Sequence, residues 1–458
     1  MSNLGTNERA LRVAIVGCGP SGFYAADAVI KSELNVVVDM FDRLPAPYGL
    51  VRYGVAPDHA KIKNVTKVYE RITDKENVSF FGNVTIGRDV SVEELKKYYD
   101  AIIFTNGAET DKKLDIPGEN LPGSYTATEF VAWYNGHPDY VDCKFDLSQE
   151  VAVIIGQGNV AMDVCRILAK TVAELKTTDI AQHALDALAN SKIKEIHMVG
   201  RRGPAQAAFT PVEIKEFGEL EDCDPVVKAE EMNINEASQE ELTDPKNMQK
   251  KKNYDRLKEY SELGQGTKSK KFICHFLKSP VELVGDGKLE RVILEKNILS
   301  GEANKQKARG SGEKEELACG LFFRSVGYRG LSIEGVPFHE QWGSILHEEG
   351  RVVDENNKVV AGLYTAGWIK RGPSGVVGTN KPDSEETVNH LLEDVVNLAS
   401  CEIPDTNVLL DQLKEKNIRV VTFDDWKKID AAEIENGQKI GKPREKFVRL
   451  EDMLKILV

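Results

Sequence analysis

The chain has 458 residues, of which 41% are hydrophobic and 29% charged, and its formal net charge is −13. This length allows two or three domains with cores of their own, in a chain of ordinary globular composition. The negative balance argues against nucleic acid or an anionic membrane surface as a general partner. No uninterrupted apolar run is long enough to cross a bilayer.

The seven cysteines are scattered along the chain, and no two of them form a C-x-x-C pair. This pattern excludes a thioredoxin-type dithiol, iron–sulfur ligation by the common spacings and a disulfide framework. The eight histidines form no H-E-x-x-H or similar cluster, so no protein-bound metal is expected. Since polar N-terminal residues lead directly into the first predicted strand, there is no room for a signal peptide. We therefore expect a cytoplasmic protein with reduced cysteines.

A G-x-G-x-x-G motif follows the first apolar strand, residues 13–16, at Gly17, Gly19 and Gly22. The first glycine permits a tight turn, the second lets a phosphate approach the backbone, and the third lets a helix pack close to the strand. Pro20 falls near the first helical position, where its missing N–H does no harm. The free N–H groups of this helix terminus can bind a pyrophosphate.

The next predicted strand, residues 36–41, ends at Asp42. A carboxylate at this place can accept hydrogen bonds from both ribose hydroxyls of an adenosine, and it would repel a 2′-phosphate. A glycine turn without a ligand is the alternative. Because the strand, the helix and the acid agree, the sequence favours a dinucleotide.

Several further elements are predicted before the second half of the chain. Residues 45–59 are rich in proline and glycine and are predicted as a long irregular loop, too apolar to be disordered. A helix is predicted over 61–72 and a buried strand over 101–104. Residues 109–150 are interpreted as a loop-rich crossover between domains.

The opening pattern recurs over 156–161 as G-x-G-x-x-A, again between an apolar strand and a helix. Here the next strand, 193–199, ends at Arg201 and Arg202, where the first copy has an acid. Two guanidinium groups can bind a 2′-phosphate, and each charge-assisted hydrogen bond contributes about 1.5–3 kcal/mol before desolvation. That predicts roughly a hundredfold preference for NADP(H) over NAD(H). A solvated arginine pair is the alternative.

Residues 246–271 are rich in lysine and arginine, although the chain as a whole is acidic. Such a run could steer an acidic protein partner, but a solvated helix and loop explains it equally well. The candidate docking residues are Lys250, Lys251, Lys252 and Arg256.

The last part of the chain is predicted to return to the first domain. Residues 321–330 read as a strand that leaves through a glycine turn. Residues 362–379 contain five glycines and Trp368, and we interpret them as backbone surrounding a flat ring, not as helix or sheet interior. The predicted fold is α/β with two Rossmann-like domains, one formed by 1–108 plus 331–458 and the other by 109–330.

Beyond the two fingerprints, a set of longer motifs runs through the chain: Y-G-L-V-R at 48–52, G-V-A-P-D-H at 54–59, F-G-N-V at 81–84, G-R-R-G-P at 200–204, G-W-I-K-R-G-P at 367–373 and G-T-N-K at 378–381. With them the chain resembles the adrenodoxin reductase-like family of ferredoxin–NADP⁺ reductases from end to end. The resemblance is strongest to the actinobacterial-type members. Other flavoproteins that bind two dinucleotides share the fingerprints, but not G-L-V-R or G-W-I-K-R-G-P.

The resemblance implies a three-layer FAD-binding domain built from both chain ends and interrupted by an NADP-binding domain. By matching position, the implied FAD contacts are Gly17, Gly19, Pro20, Ser21, Gly22, Asp42, Gly49, Leu50, Val84, Trp368, Gly375, Val376 and Val377. The implied NADP contacts are Gln157, Gly158, Asn159, Val160, Arg201, Arg202, Glu213 and Gly375, and Lys112 falls where a basic residue can face the same cofactor.

The implied reaction is hydride transfer from NADPH to FAD, followed by transfer of single electrons to a ferredoxin- or adrenodoxin-like iron–sulfur protein. Hydride transfer depends on stacking geometry more than on an acid or base. His59 and Glu216 lie in segments expected to converge beside the nicotinamide, where they could exchange a proton or hold the ring; a structural pair is the alternative. Two other functions stay open: the flavin subunit of a glutamate synthase-like complex and a non-catalytic NADP-binding sensor.

Overall fold

The computed structural model describes residues 3–457. Its largest sheet takes strands from both ends of the chain, and its central strands are parallel. In spatial order its eight strands are β18 (His347–Glu348), β19 (Arg351–Val353), β20 (Val359–Thr365), β4 (Ala101–Phe104), β1 (Leu11–Val16), β2 (Val36–Phe41), β3 (Val78–Gly82) and β21 (Val421–Thr422).

The second sheet comes from the middle of the chain, and all of its strands are parallel. In spatial order they are β6 (Ser124–Thr126), β14 (Leu321–Arg324), β7 (Val151–Ile155), β8 (Glu195–Val199), β10 (Lys270–His275) and β9 (Cys223–Val227). An antiparallel sheet follows β10: β11 (Lys278–Val284), β12 (Arg291–Ser300) and β13 (Lys307–Ala318). Two short ribbons pair β5 (Thr110–Asp111) with β15 (Tyr328–Arg329), and β16 (Phe338–His339) with β17 (Ser344–Ile345).

The helices connect these strands and contribute to the hydrophobic cores beside the sheets. In chain order they are α1 (Pro20–Ile30), α2 (Leu50–Tyr53), α3 (Ala60–Lys63), α4 (Thr66–Thr73), α5 (Val92–Leu95), α6 (Ala127–Tyr134), α7 (Asn159–Ala169), α8 (Val172–Leu175), α9 (Gln182–Ala189), α10 (Pro211–Glu216), α11 (Glu236–Thr243), α12 (Met248–Glu262), α13 (Trp368–Arg371), α14 (Asn380–Asp394), α15 (Thr406–Glu415), α16 (Phe423–Lys439) and α17 (Leu450–Lys455). None of the described helices combines the length and the apolar character that crossing a membrane requires.

In each sheet the strand register places the carboxyl ends of neighbouring strands, and the turns that follow them, at one edge. In the large sheet Val16 is level with Phe41 and with Phe104, so β1, β2 and β4 end at one edge. In the second sheet Ile155 is likewise level with Val199. Ligands of open α/β sheets bind at such carboxyl ends, next to the turns that follow them. Both glycine fingerprints therefore lie where a dinucleotide can bind.

Two predictions of local structure are wrong, and a third is incomplete. Leu50–Tyr53 forms a helical turn inside the predicted loop, because the flanking glycines leave a short stretch without proline. The predicted helix over 61–72 is interrupted between α3 and α4. Residues 109–150 are rich in loops, as predicted, but they also contain α6, which begins at a capping box formed by Thr126 and Glu129.

The glycine-rich stretch 362–379 also differs from its prediction. Leu363, Tyr364 and Thr365 are buried and pair with β4, so the first part of the stretch is sheet interior. Only Gly362 lies within β20, and the remaining glycines follow the strand. Three consecutive buried residues show no period-2 alternation that would have indicated a strand, and the glycines that follow them favoured a loop.

Phe272 is completely buried in β10, and its ring stacks on Phe217 with 3.8 Å between the centroids. We expect Phe272→Ala to lower the free energy of unfolding by about 3–5 kcal/mol, because it leaves a cavity in the core beside the second sheet. Chemical denaturation followed by circular dichroism measures this change. Trp342→Ala, at a side chain that is 66% exposed, serves as the control and should cost less than about 1 kcal/mol. An equal loss in both variants would contradict the expectation.

Candidate functional site

The first glycine turn is closed on two sides and open on the third. A Cβ on Gly17 would lie 2.6 Å from Asn106 Cα, and a Cβ on Gly22 would lie 2.2 Å from Gly17 O. At Gly19 the nearest described atom to such a Cβ is Gly49 Cα, at 3.9 Å. The outer glycines are therefore required by packing, whereas Gly19 faces free space. This is the cradle that a pyrophosphate needs.

Asp42 stands beside this cradle. Its Oδ2 accepts a hydrogen bond from the Cys18 N–H, and its Oδ1 accepts one from the Leu44 N–H, both at 2.9 Å. Burial raises the pKa of Asp42 to about 6 despite these bonds. Each carboxylate oxygen can accept a further hydrogen bond, so the pair of oxygens fits two ribose hydroxyls. Val84 lies next to it, and its N–H donates to Asp42 O at 2.9 Å.

The G-W-I-K-R-G-P segment completes the other end of this crevice. The Ser21 hydroxyl, predicted to contact FAD, donates to Asn380 Oδ1 at 3.1 Å. The indole N–H of Trp368 donates to Ser374 O at 3.1 Å and so holds the turn that follows. The Val376 side chain in this turn is 57% exposed, and it lies between the other two predicted contacts, Gly375 and Val377. Pro20 and Leu50 are the first residues of α1 and α2.

The second glycine turn has the same division of roles. A Cβ on Gly156 would lie 2.3 Å from Ser325 O, whereas a Cβ on Gly158 would meet no described heavy atom within 4 Å. Asn159 Oδ1 accepts from the Thr210 N–H at 2.9 Å. This bond joins the start of α7 to the start of α10. The turn again leaves open space for a phosphate at its middle glycine.

The charge beside this turn is opposite to that beside the first. Within residues 3–457 neither Arg201 nor Arg202 forms an ion pair, and Arg201 is exposed. Burial and the neighbouring guanidinium lower the pKa of Arg202. The Gln157 amide donates to Arg202 O at 3.2 Å, so the arginines are tied to the fingerprint. Two unneutralised cations at this edge fit a 2′-phosphate. Lys112 is exposed and hydrogen-bonded to Gly327 only through its backbone N–H, and its contact with a cofactor stays a prediction.

His59 and Glu216, which the sequence placed in converging segments, are in contact. His59 Nε2 lies 3.2 Å from Glu216 Oε2, and His59 Nδ1 lies 3.9 Å from Glu213 Oε1. Burial would lower the pKa of His59, but the hydrogen bond to Glu216 and the nearby acids raise it above its ordinary value. The pKa of Glu216 falls, because the His59 bond and the Arg166 charge outweigh burial. The two side chains therefore form an ion pair over a wider pH range than free groups would.

The structure shows Glu213 in an ion pair, whereas the sequence predicts that it contacts NADP. It is buried, and its Oε2 accepts from Arg166 Nη1 at 2.5 Å. Burial and the nearby Asp163 raise the pKa of Glu213 to about 7. A cofactor contact by Glu213 stays a prediction, and its visible role is in the charge cluster around His59.

The predicted docking run is less basic than its composition indicates. Lys250 pairs with Glu241 at 3.2 Å, Arg256 pairs with Glu259 at 2.5 Å, and Lys251 pairs with Asp255. Of the four predicted residues, Lys252 alone forms no ion pair with a described residue. Side chains one turn apart on α12 neutralise one another, which a count of charges cannot show.

Comparisons with known proteins agree with this geometry. Residues 11–200 match the family model described as pyridine nucleotide-disulphide oxidoreductase. The chain is 42% identical to the NADPH-ferredoxin reductase FprA of Mycobacterium leprae, over 97% of this chain and 98% of that protein. It is 40% identical to the mitochondrial NADPH:adrenodoxin oxidoreductase of Arabidopsis thaliana, over 98% and 95% of the two chains. The chain belongs to the NADPH–ferredoxin and NADPH:adrenodoxin reductase family.

A solved structure of a family member matches the whole fold. Mycobacterium tuberculosis FprA in complex with NADPH superposes with a TM-score of 0.91 at 41% identity, covering 98% of this chain and 99% of that one. Full-length relatives of this kind favour a reductase over the sensor and the glutamate synthase-like alternatives.

Sequence reasoning missed the residues that surround His59. Arg166 is completely buried and contacts carboxylates from three segments, and Lys170 pairs with Asp58 at 2.9 Å. One local signal was available, since Asp163 and Arg166 are spaced i,i+3 on a helix whose remaining face is apolar. A charged pair on a buried helix face indicates polar partners from elsewhere in the fold.

The arginine pair gives a prediction for this family member. Replacing Arg201 or Arg202 by Ser should reduce the preference for NADPH over NADH by about 10- to 100-fold each, since each loses a charge-assisted contact worth about 1.5–3 kcal/mol. Steady-state kcat/KM for both nucleotides measures the preference. Arg309→Ser, at another exposed arginine without an ion pair to a described residue, is the matched control. An unchanged ratio in both site variants would refute the assignment.

Proposed function

We propose that this chain is an NADPH–ferredoxin reductase, which takes a hydride from NADPH onto FAD and passes single electrons to a ferredoxin- or adrenodoxin-like iron–sulfur protein. The observation that carries the proposal is the pairing of two glycine cradles with opposite charges: Asp42 beside the first and Arg201 with Arg202 beside the second. One position suits an adenosine with free ribose hydroxyls and the other a 2′-phosphate.

Two different parts of the chain would bind the two cofactors. Chain segments 1–108 and 331–458 would bind FAD, and 109–330 would bind NADP. When bound, FAD supplies a two-electron acceptor that can release its electrons singly. The chain's own contribution is to bind both dinucleotides with their reactive rings in contact and to hold the surrounding charges.

Purified protein tests the proposal directly. We expect a yellow protein with one FAD per chain, whose flavin is bleached by NADPH under anaerobic conditions. Reduction of cytochrome c by NADPH should then depend on added ferredoxin. A colourless protein, or one that oxidises NADH as readily as NADPH, would refute the proposal.

A cytoplasmic location is proposed as well. Its support is the cysteine usage: the seven cysteines are free thiols in this structure. Scattered thiols of this kind suit a reducing compartment. Fractionation of cells that express the native chain tests the location, and recovery outside the cytoplasmic fraction would contradict it.

His59 and Glu216 are proposed to act beside the nicotinamide ring, either by holding it or by moving a proton. We expect His59→Ala to slow the reduction of FAD by NADPH about tenfold and to leave the FAD content unchanged. Stopped-flow absorbance measures the rate. His390→Ala is the matched control, because His390, on α14, contacts Glu349 in the turn between β18 and β19. If flavin reduction in His59→Ala keeps the wild-type rate, His59 has no part in this step.

Docking of the iron–sulfur protein is proposed to use the exposed cations of α12. Lys252→Glu should raise the KM for ferredoxin several-fold at low ionic strength, with a smaller effect at high salt, because it reverses a charge that no described residue neutralises. Ferredoxin-dependent cytochrome c reduction at two salt concentrations measures this. Lys358→Glu, at an exposed turn between β19 and β20, is the control. A KM that does not move at low salt would remove α12 from the docking surface.

A further inference from the structure

We infer that Arg166 is a positioning residue for hydride transfer: its guanidinium orients the acids that face His59 and so fixes the geometry of the His59–Glu216 pair. This inference rests on the proposed function and adds to it a residue that touches neither dinucleotide-binding turn. Arg166 lies on α7 and has no exposed surface.

The guanidinium of Arg166 is shared among carboxylates that come from separate parts of the chain. Its Nε and Nη2 bind Asp58 at 2.7 and 3.1 Å, which is a fork-to-fork contact. Its Nη1 binds Glu213 and its Nη2 binds Asp163, both at 2.5 Å. Its Nε lies 3.2 Å from Glu216 Oε2. One planar group therefore fixes four acids at once.

The acids around the imidazole of His59 are these same acids. Glu216 lies 3.2 Å from Nε2, while Glu213 and Asp163 lie 3.9 and 4.0 Å from Nδ1. Asp58 precedes His59 in the chain, so the arginine also anchors the backbone that carries the ring. A change in the position of the guanidinium would thus move every acid that His59 faces.

Further charged and titratable groups of the cluster come from α6, α7 and β15, while Glu174 of α8 and Glu219 after α10 line the same surface pocket as Asp58, Lys170 and Glu216. Lys170, at the end of α7, pairs with Asp58 at 2.9 Å. The buried phenols of Tyr134 and Tyr328 lie in the electrostatic field of Asp163, and burial raises the pKa of both. With four acids against two permanent cations, removal of one cation leaves a large excess of negative charge around His59.

This arrangement of charges sets the direction in which each group shifts the pKa of His59. The Arg166 charge works against protonation of His59, and the acids work in favour of it. Loss of the arginine charge therefore raises the pKa of His59. Replacement by lysine keeps the charge but cannot bind several carboxylates in one plane. The two substitutions separate the charge of Arg166 from its geometry.

The experiment uses the FAD-loaded full chain and two readouts. Stopped-flow reduction by NADPH, measured across pH, gives the rate and the midpoint of its pH profile. NMR titration of the His59 imidazole, assigned with His59→Ala, gives the pKa of His59 without any turnover. Arg12→Lys is the matched control: Arg12 is a buried arginine that contacts Asp39 and Tyr98 O at the amino end of β1, the end opposite the glycine turn.

We expect Arg166→Lys to reduce the rate of flavin reduction at least tenfold, with the pH midpoint and the KM for NADPH unchanged. We expect Arg166→Gln to move the pH midpoint and the NMR pKa of His59 upward by about one unit, a tenfold change in the proton equilibrium. Arg12→Lys should alter neither readout.

Three results would overturn the inference. The first is a wild-type reduction rate in Arg166→Lys, and the second is an unchanged His59 titration in Arg166→Gln. The third is loss of bound FAD in both variants, which would give Arg166 a role in folding only. Failure of the proposed function would give a different result: NADPH would not reduce the flavin of the wild-type protein. The NMR titrations of His59 in the wild type and in Arg166→Gln could still be compared in that case.

Discussion

The interaction on which the site depends is the contact of one buried guanidinium, that of Arg166, with four carboxylates. Buried acids repel one another and are costly to ionise without a counter-ion. Arg166 and Lys170 supply that counter-charge between α7, α10 and the loop before α3. The segment that carries His59 belongs to the large-sheet part of the chain, and α7 and α10 belong to the second-sheet part. The cluster thus joins the two parts of the chain that carry the two glycine turns.

The two parts use one local design for two different nucleotides. Each has a parallel strand, a glycine turn with open space at its middle glycine, and a helix that begins at the turn. What differs is the residue at the end of the next strand: Asp42 in one and the Arg201–Arg202 pair in the other. Since the turns themselves recognise only a phosphate group, the sign of this neighbouring charge determines which dinucleotide is favoured.

Local patterns were the best predicted features of the chain. Both fingerprint turns and the strands that precede them have the predicted structure, because each depends on a few consecutive residues. Features that depend on distant partners were misread. Residues 363–365 pair with β4 and are sheet interior, although glycines follow them. Two cations of α12, Lys251 and Arg256, pair with acids of the same helix, which a count of basic residues does not show.

The family, the order of the two nucleotide-binding turns and the opposite charges beside them were predictable from the amino-acid sequence, because these are properties of short motifs at fixed spacing. The sequence predicted that the segments of His59 and Glu216 converge, but the packed fold was needed to show their contact and the convergence of Asp58, Asp163 and Glu213 on Arg166. The reason is physical: these residues are separated by up to 158 positions in the chain, and whether their charges stabilise or repel depends on distances that only the packed fold sets.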